Sequence, residues 1–177
     1  MEKKKNKLIY ILGGLFATLI IFSRKKIINK VISLTNKQFI DKIKPYAISI
    51  GNAIGVPYKF IIAQICLETG FGKSSLSSKY NNFGGIKEFG SGPKVSLLTT
   101  ECKNGVCSKV YQPFAVYPTI DAGMRAQSQI YQNRYFKQHL KKTSDPIVYA
   151  NLIQSGPIKY ATDPNYVSKI TSIINKI

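Results

Sequence analysis

The stretch AQICLETGFGKSS, residues 63–75, holds the one acidic residue between Asp41 and Glu88. It closes a segment, VPYKFIIAQICLETG over residues 56–70, that is apolar almost throughout. Pro57 suits a first helical turn and Gly70 suits the stop just past a last one, so the spacing predicts a helix with Glu68 in its final turn. A helix carboxyl end carries partial negative charge, which disfavours a carboxylate there. Apolar neighbours disfavour the ionised form as well. Both effects raise the pKa, the direction a general acid needs near neutral pH. A solvated glutamate at a frayed helix end fits the same residues, and the helix pattern alone leaves both readings open.

Working outward, TNKQFIDKIKPYAISIGNAIG (35–55) places Phe39, Ile43, Tyr46, Ala47 and Ile50 on one helical face. Pro45 is expected to kink this helix or divide it in two. On the other side, KYNNFGGIKEFGSGPK (79–94) reads as loop. The next run, KVSLLTTECKNGVCSKVYQPFAVY (94–117), reads as two strands around Asn104-Gly105, a strong signal for a two-residue type I′ hairpin. That register sets Lys103 opposite Val106 and Cys102 opposite Cys107. Such a non-hydrogen-bonded pair has Cα atoms about 4.5 Å apart, within disulfide range. A bridge there implies an oxidising, extracytoplasmic setting, and two reduced thiols are the alternative. Glu101 points to the sheet face opposite Cys102. Cys66, on the apolar helix, reads as a small buried hydrophobe.

The rest is helical. Thr119 or Asp121 can open IDAGMRAQSQIYQN, and Asp145 and Asp163 are expected N-caps of two helices that begin with Asp-Pro. The last helix carries Val167, Ile170, Ile173, Ile174 and Ile177 on one stripe.

A chain of 177 residues has room for one domain with a real core and a tail. It carries 26 Lys+Arg against 8 Asp+Glu. The first 30 residues hold eight of those bases and one acid, so eighteen against seven remain beyond them and the basic character is not confined to a tail. Such a surface attracts polyanions, or simply keeps the chain soluble. The charge is diffuse and lacks an aromatic-basic motif, so no nucleic acid is expected. The single histidine, His139, lies in FKQHLKK without a supporting motif, which argues against zinc, Ser-His-Asp and Cys-His chemistry. No Walker-type glycine loop is present. Neither a metal nor an organic cofactor is expected, and enzyme chemistry, if any, falls to carboxylates.

Residues 1–7 are basic, 8–22 (LIYILGGLFATLIIF) carry no charge, and SRKK follows. Fifteen helical residues reach about 22 Å, short of the ~30 Å hydrocarbon core, a gap that snorkelling lysines can close. The apolar run ends without the small residues of a cleavage site. We read 8–22 as an uncleaved signal anchor; a cleaved signal and a buried core helix are the alternatives. Bases flank it almost equally, so orientation is not set. Residues 23–35 form a basic linker and 36–177 the folded domain.

Of the eight carboxylates, Glu2 lies in the tail and Asp41 on an exposed helix face, while Asp121, Asp145 and Asp163 suit helix starts. Glu68, Glu88 and Glu101 are left over, and Glu88 reads most simply as solvated.

The run FIDKIKPYAISIGNAIGVPYKFIIAQICLETGFGKSSLSSKYNNFGGIK (39–87) resembles the amino-terminal half of glycoside hydrolase family 73, bacterial and phage N-acetylglucosaminidases of the lysozyme-like superfamily. The likeness continues through TTECKNGVCSKVYQPFAVYPTIDAGMRA (99–126) and KYATDPNYVSKI (159–170), so it covers roughly residues 36–177. It implies an α+β, mainly α fold, in which a lysozyme-like helical lobe and a small β-hairpin lobe form a groove for a glycan chain. By this resemblance Glu68, in E-T-G-F-G, is the general acid. Glu101 matches the family's β-lobe glutamate, proposed to activate water, and Tyr160 borders the cleft. Asn82, Phe83 and Gly84 resemble the sugar-binding turn, and Tyr166 is placed with them as substrate-binding. The implied reaction is hydrolysis of the β-1,4 bond between N-acetylglucosamine and N-acetylmuramic acid in peptidoglycan, by a monomer anchored in the membrane with its domain outside the cytoplasm. A lytic transglycosylase or muramidase, and a non-catalytic wall-binding module, are the competing readings.

Overall fold

The computed structural model describes residues 35–103 and 106–177. The basic terminus, the expected span 8–22, nearly all of the linker, and the turn residues Asn104 and Gly105 lie outside the described residues. Among the described residues no helix is long and apolar enough to cross a membrane. The architecture is that of the unit Phe39–Ile177, which is mainly helical with one two-stranded sheet.

Helix α1 covers residues 35–54 and runs through Pro45 without a break, so the expected division does not occur. Pro45 is exposed, as is Asp41 one turn before it, so the carbonyl that loses its donor faces water instead of the core. Ile43, Ala47 and Ile50 are buried on the expected face, joined by Ile40.

Helix α2 (Tyr58–Thr69) is the centre of the molecule. Phe60 to Cys66 are all buried, so the helix is enclosed on every side, as a helix apolar all round must be. Each fully buried large apolar side chain there contributes about 1.5–3 kcal/mol. α2 packs against α6 (Tyr166–Ile174) and α5 (Pro146–Leu152). Phe60 meets Tyr149 and Tyr131 edge-on, with ring centroids 4.9 and 5.8 Å away. Cys66 is a free, buried thiol pushed up to about 12 by desolvation, consistent with the small hydrophobe expected of it.

After a short α3 (Ser75–Tyr80) the chain forms the hairpin, β1 (Lys94–Lys103) and β2 (Val106–Ala115). The strands are antiparallel with Lys103 opposite Val106, Cys102 opposite Cys107 and Glu101 opposite Ser108, the register that a two-residue loop at Asn104-Gly105 requires. The hairpin's root is tied to the helical body through the segment after α3. Ala115 N–H donates to Ile86 O, Glu88 N–H to Pro113 O, and Tyr117 N–H to Tyr80 O, at 2.9, 2.9 and 3.0 Å. Helix α4 (Ile120–Ser128) is capped by Thr119, whose hydroxyl accepts from Ala122 N–H. A Cβ on Gly123 would stand 1.8 Å from Asn81 O, so only glycine lets α4 sit this close to the turn after α3.

Two 3₁₀ segments, Gln129–Gln132 and Lys137–His139, lead to α5. Asp145 caps α5 as expected, accepting from Ile147 and Val148 N–H. Asp163 does not cap α6. That helix starts later, with Asn165 at its N-cap position. Asp163 instead accepts from Asn165 N–H and pairs with Lys169 at 2.5 Å, so the loop turns once more before the helix begins.

Candidate active site

Glu68 stands in the last turn of α2. The residues after it explain the glycine-rich motif. Gly70, Phe71 and Gly72 all take left-handed backbone, with φ of 58°, 59° and 76°. Gly70 closes the helix by donating to Cys66 O, and glycine adopts that conformation at least cost. Thr69 is buried; its hydroxyl donates to Ile65 O at 2.6 Å and accepts from Gly72 N–H at 2.8 Å. The E-T-G-F-G stretch is thus a tight reversal, and it leaves Glu68 at the helix end with its residue exposed.

Beneath Glu68 lies a buried polar network. Gln64, one turn earlier and 0% exposed, donates to Glu68 Oε1 at 3.0 Å and to the Tyr160 hydroxyl at 2.8 Å. Gln64 Oε1 accepts from the Tyr166 hydroxyl. Tyr160 stacks on Tyr131, with centroids 6.2 Å apart, and leans on Tyr166 and Phe136, each 5.5 Å away. Although the residue reaches solvent, protein atoms packed around its carboxyl displace part of its water, and this partial desolvation raises the Glu68 pKa while the Gln64 hydrogen bond pulls the other way. The Tyr160 and Tyr166 phenols are pushed up first by burial, with the Glu68 charge adding to it, so both stay protonated.

Of the residues singled out in sequence, the structure brings together Glu68, Tyr160 and Tyr166. Gln64, which joins them, was missed, although a lone amide in an apolar run four residues before Glu68 marked it. Glu101 belongs to a different constellation: its Oε1 is 2.8 Å from Lys87 Nζ, with 43% of its side chain exposed. Tyr166 is buried on α6, under the carboxyl and not at the surface. Asn82 is also inward. Its Nδ2 donates to Ile86 O and Ala115 O, and its Oδ1 accepts from Ile86 N–H, so the side chain is spent on the backbone of the hairpin root. Phe83 is in the core. A Cβ on Gly84 would meet Gln127 Oε1 at 1.5 Å. The 82–84 turn therefore fixes where the hairpin leaves the helical body.

A mainly helical unit with a carboxyl at the end of its central helix and a hairpin beside it can be compared with known proteins. A family model described as Glucosaminidase, mannosyl-glycoprotein endo-beta-N-acetylglucosaminidase, matches residues 44–177. The chain belongs to this glucosaminidase family. It is 33% identical over 151 residues to the peptidoglycan hydrolase FlgJ of Salmonella typhimurium, covering 80% of this chain and 46% of that protein. With the exo-glucosaminidase LytG of Bacillus subtilis it shares 30% identity over 144 residues, 78% of this chain and 50% of that protein. The chain thus spans about half the length of these curated relatives. The crystal structure of the catalytic domain of the autolysin Auto from Listeria monocytogenes superposes with a TM-score of 0.68 at 25% identity, over 80% of this chain and 83% of that domain. The fold expected from the resemblance, mainly helical α+β with a small sheet, is the glucosaminidase fold seen here.

Proposed function

We propose that this glucosaminidase-family chain hydrolyses peptidoglycan, cutting the β-1,4 bond between N-acetylglucosamine and N-acetylmuramic acid within the glycan strand, with Glu68 as general acid. The observation that carries this reading is the placing of Glu68, at the end of a buried helix, its pKa raised by burial and its carboxyl held by Gln64. The glycan lies in a lysozyme-like groove between the helical body and the hairpin. Glu68 protonates the departing oxygen. Water then attacks the oxocarbenium-like centre, assisted by Glu101 or after participation of the sugar's own 2-acetamido group. Tyr160 borders the reacting sugar, and the 82–84 turn sets the hairpin's distance from it. The peptidoglycan activity in FlgJ's name supports the substrate, and the family description, an endo-beta-N-acetylglucosaminidase, supports the type of bond cut.

The product decides it. Purified peptidoglycan digested with the protein, reduced with borohydride and weighed by mass spectrometry should give fragments ending in reduced N-acetylglucosamine. Reduced muramic acid at that end would assign a muramidase, and anhydro-muramic ends a lytic transglycosylase. Either overturns the proposed bond, and no fragments at all would favour a wall-binding module.

The setting is part of the same proposal: residues 8–22 anchor the chain in a membrane and the domain works outside the cytoplasm. The strand register sets Cys102 opposite Cys107, and an oxidising compartment would bridge them. A thiol count on denatured, unreduced protein from such a compartment should then find Cys66 alone. The stabilisation should stay below the ~3 kcal/mol of a fifteen-residue loop, because this loop is far smaller. Three free thiols would refute the bridge and remove its support for an extracytoplasmic site.

A further inference from the structure

Gln64 has every part of its amide engaged. One N–H goes to Glu68 Oε1 and the other to the Tyr160 hydroxyl, while the carbonyl accepts from the Tyr166 hydroxyl. A carboxamide has donors at one end and an acceptor at the other. Were it reversed, its oxygen would face Glu68 and its NH₂ would face Tyr166. The ionised Glu68 carboxylate can only accept, which favours the orientation that points an N–H at it, and the hydroxyl of Tyr166, buried on α6, completes that orientation by donating to the carbonyl. The consequence falls on the two oxygens of Glu68. Oε1 receives a hydrogen bond, so a proton on the neutral acid is better placed on Oε2. We propose that Gln64, held by Tyr166 and Tyr160, is a positioning residue that fixes the Glu68 carboxyl and keeps its acidic proton on Oε2, the oxygen that delivers it to the glycosidic oxygen. This rests on the reading of Glu68 as the general acid.

The ionisable groups facing Glu68 from other elements are Tyr131 of the first 3₁₀ segment, Tyr160 before α6, and Tyr166 on α6. All three are kept neutral, first by burial. Among the described residues, burial and Gln64 are the two influences on the Glu68 proton. The Gln64 N–H favours the carboxylate form, so removing it moves the titration of Glu68 upward.

Gln64→Met keeps similar bulk and removes both donors and the acceptor. We expect kcat to fall roughly 10- to 100-fold, the scale of a misplaced reacting group. The basic limb of kcat/KM should move to higher pH, and carbon-detected NMR of the Glu68 carboxyl should show the same upward move. Tyr166→Phe removes only the hydroxyl that orients the amide, and it carries the test should Gln64→Met fail to fold. It should give a smaller loss with a shift in the same direction, and add little on top of Gln64→Met. Folded variants with lowered stability but an unmoved basic limb and an unmoved Glu68 titration would overturn the proposal, since they would leave Gln64 a mere filler of buried space. Activity retained by Glu68→Gln would overturn the general-acid reading instead. An inactive Glu68→Gln beside an unmoved limb would overturn the positioning role alone.

Discussion

Glu68→Gln is expected to cut hydrolysis of purified peptidoglycan at least ~100-fold, the lower range for loss of general acid catalysis, while leaving the fold intact. The substitution preserves shape, and the carbonyl of the new amide can still accept the Gln64 N–H that Glu68 Oε1 now receives. What disappears is the transferable proton. The sign of the pH dependence follows from burial. A carboxyl whose pKa is raised in the folded state stays protonated to higher pH than an ordinary one, so the wild-type rate should fall as pH rises through that elevated value. The same shift bears on stability. A group whose folded pKa is raised favours folding below its unfolded pKa, and that contribution is lost as pH rises through the folded value. Above that folded value the ionised Glu68 therefore weighs against the fold. Glu68→Gln should melt no lower than the wild type there, the pattern of a residue kept for chemistry at some cost in stability. Near-normal turnover by the folded variant would remove Glu68 from the mechanism.

The residues that reveal this site in sequence are those whose reasons are local. The apolar run of α2, with Pro57 before it and Gly70 after it, needs no tertiary information to be read. Asn104-Gly105 sets the strand register by turn chemistry alone, and the isoleucine stripe of α6 follows from helical spacing. The readings that failed depended on surroundings. The division expected at Pro45 does not occur, and the carbonyl that loses its donor lies on an exposed face where water can satisfy it. Asp163 looked like a cap because Asp-Pro is a good local start, but the pairing with Lys169 and an extra turn displace the helix start. Nor could the sequence show that the amide of Asn82, in a motif that resembles a sugar-binding turn, donates to the carbonyls of residues 86 and 115. Gln64 shows the limit most plainly. Its bond to Glu68 spans one helical turn and could be foreseen, whereas its bonds to Tyr160 and Tyr166 cross 96 and 102 residues of sequence.

Glu101→Gln is expected to give a clear loss of activity, smaller than that at Glu68. The residue lies three positions before the expected turn on β1, opposite Ser108, and its carboxylate is ion-paired to Lys87 at 2.8 Å. Lys87 is itself bridged to Phe114 at the base of the hairpin. The pair thus braces the strand against the segment that ties the hairpin to the helical body. Because both side chains are partly exposed, the pair itself should add little to stability. An obligatory base activating water would cost 10²–10⁴-fold on removal of its charge. Participation by the sugar's acetamido group would make the loss milder, and a thiazoline derived from N-acetylglucosamine should then inhibit. The ion pair favours the milder outcome, because Glu101 must leave or share Lys87 to take a proton from water. Kinetics of folded Glu101→Gln, measured from about pH 5 to 8 beside thiazoline inhibition of the wild type, separate the two routes. Loss matching that of Glu68→Gln, with no thiazoline inhibition, would make Glu101 the base. Unchanged kinetics would leave Glu68 as the sole catalytic carboxylate and Glu101 as the hairpin's brace.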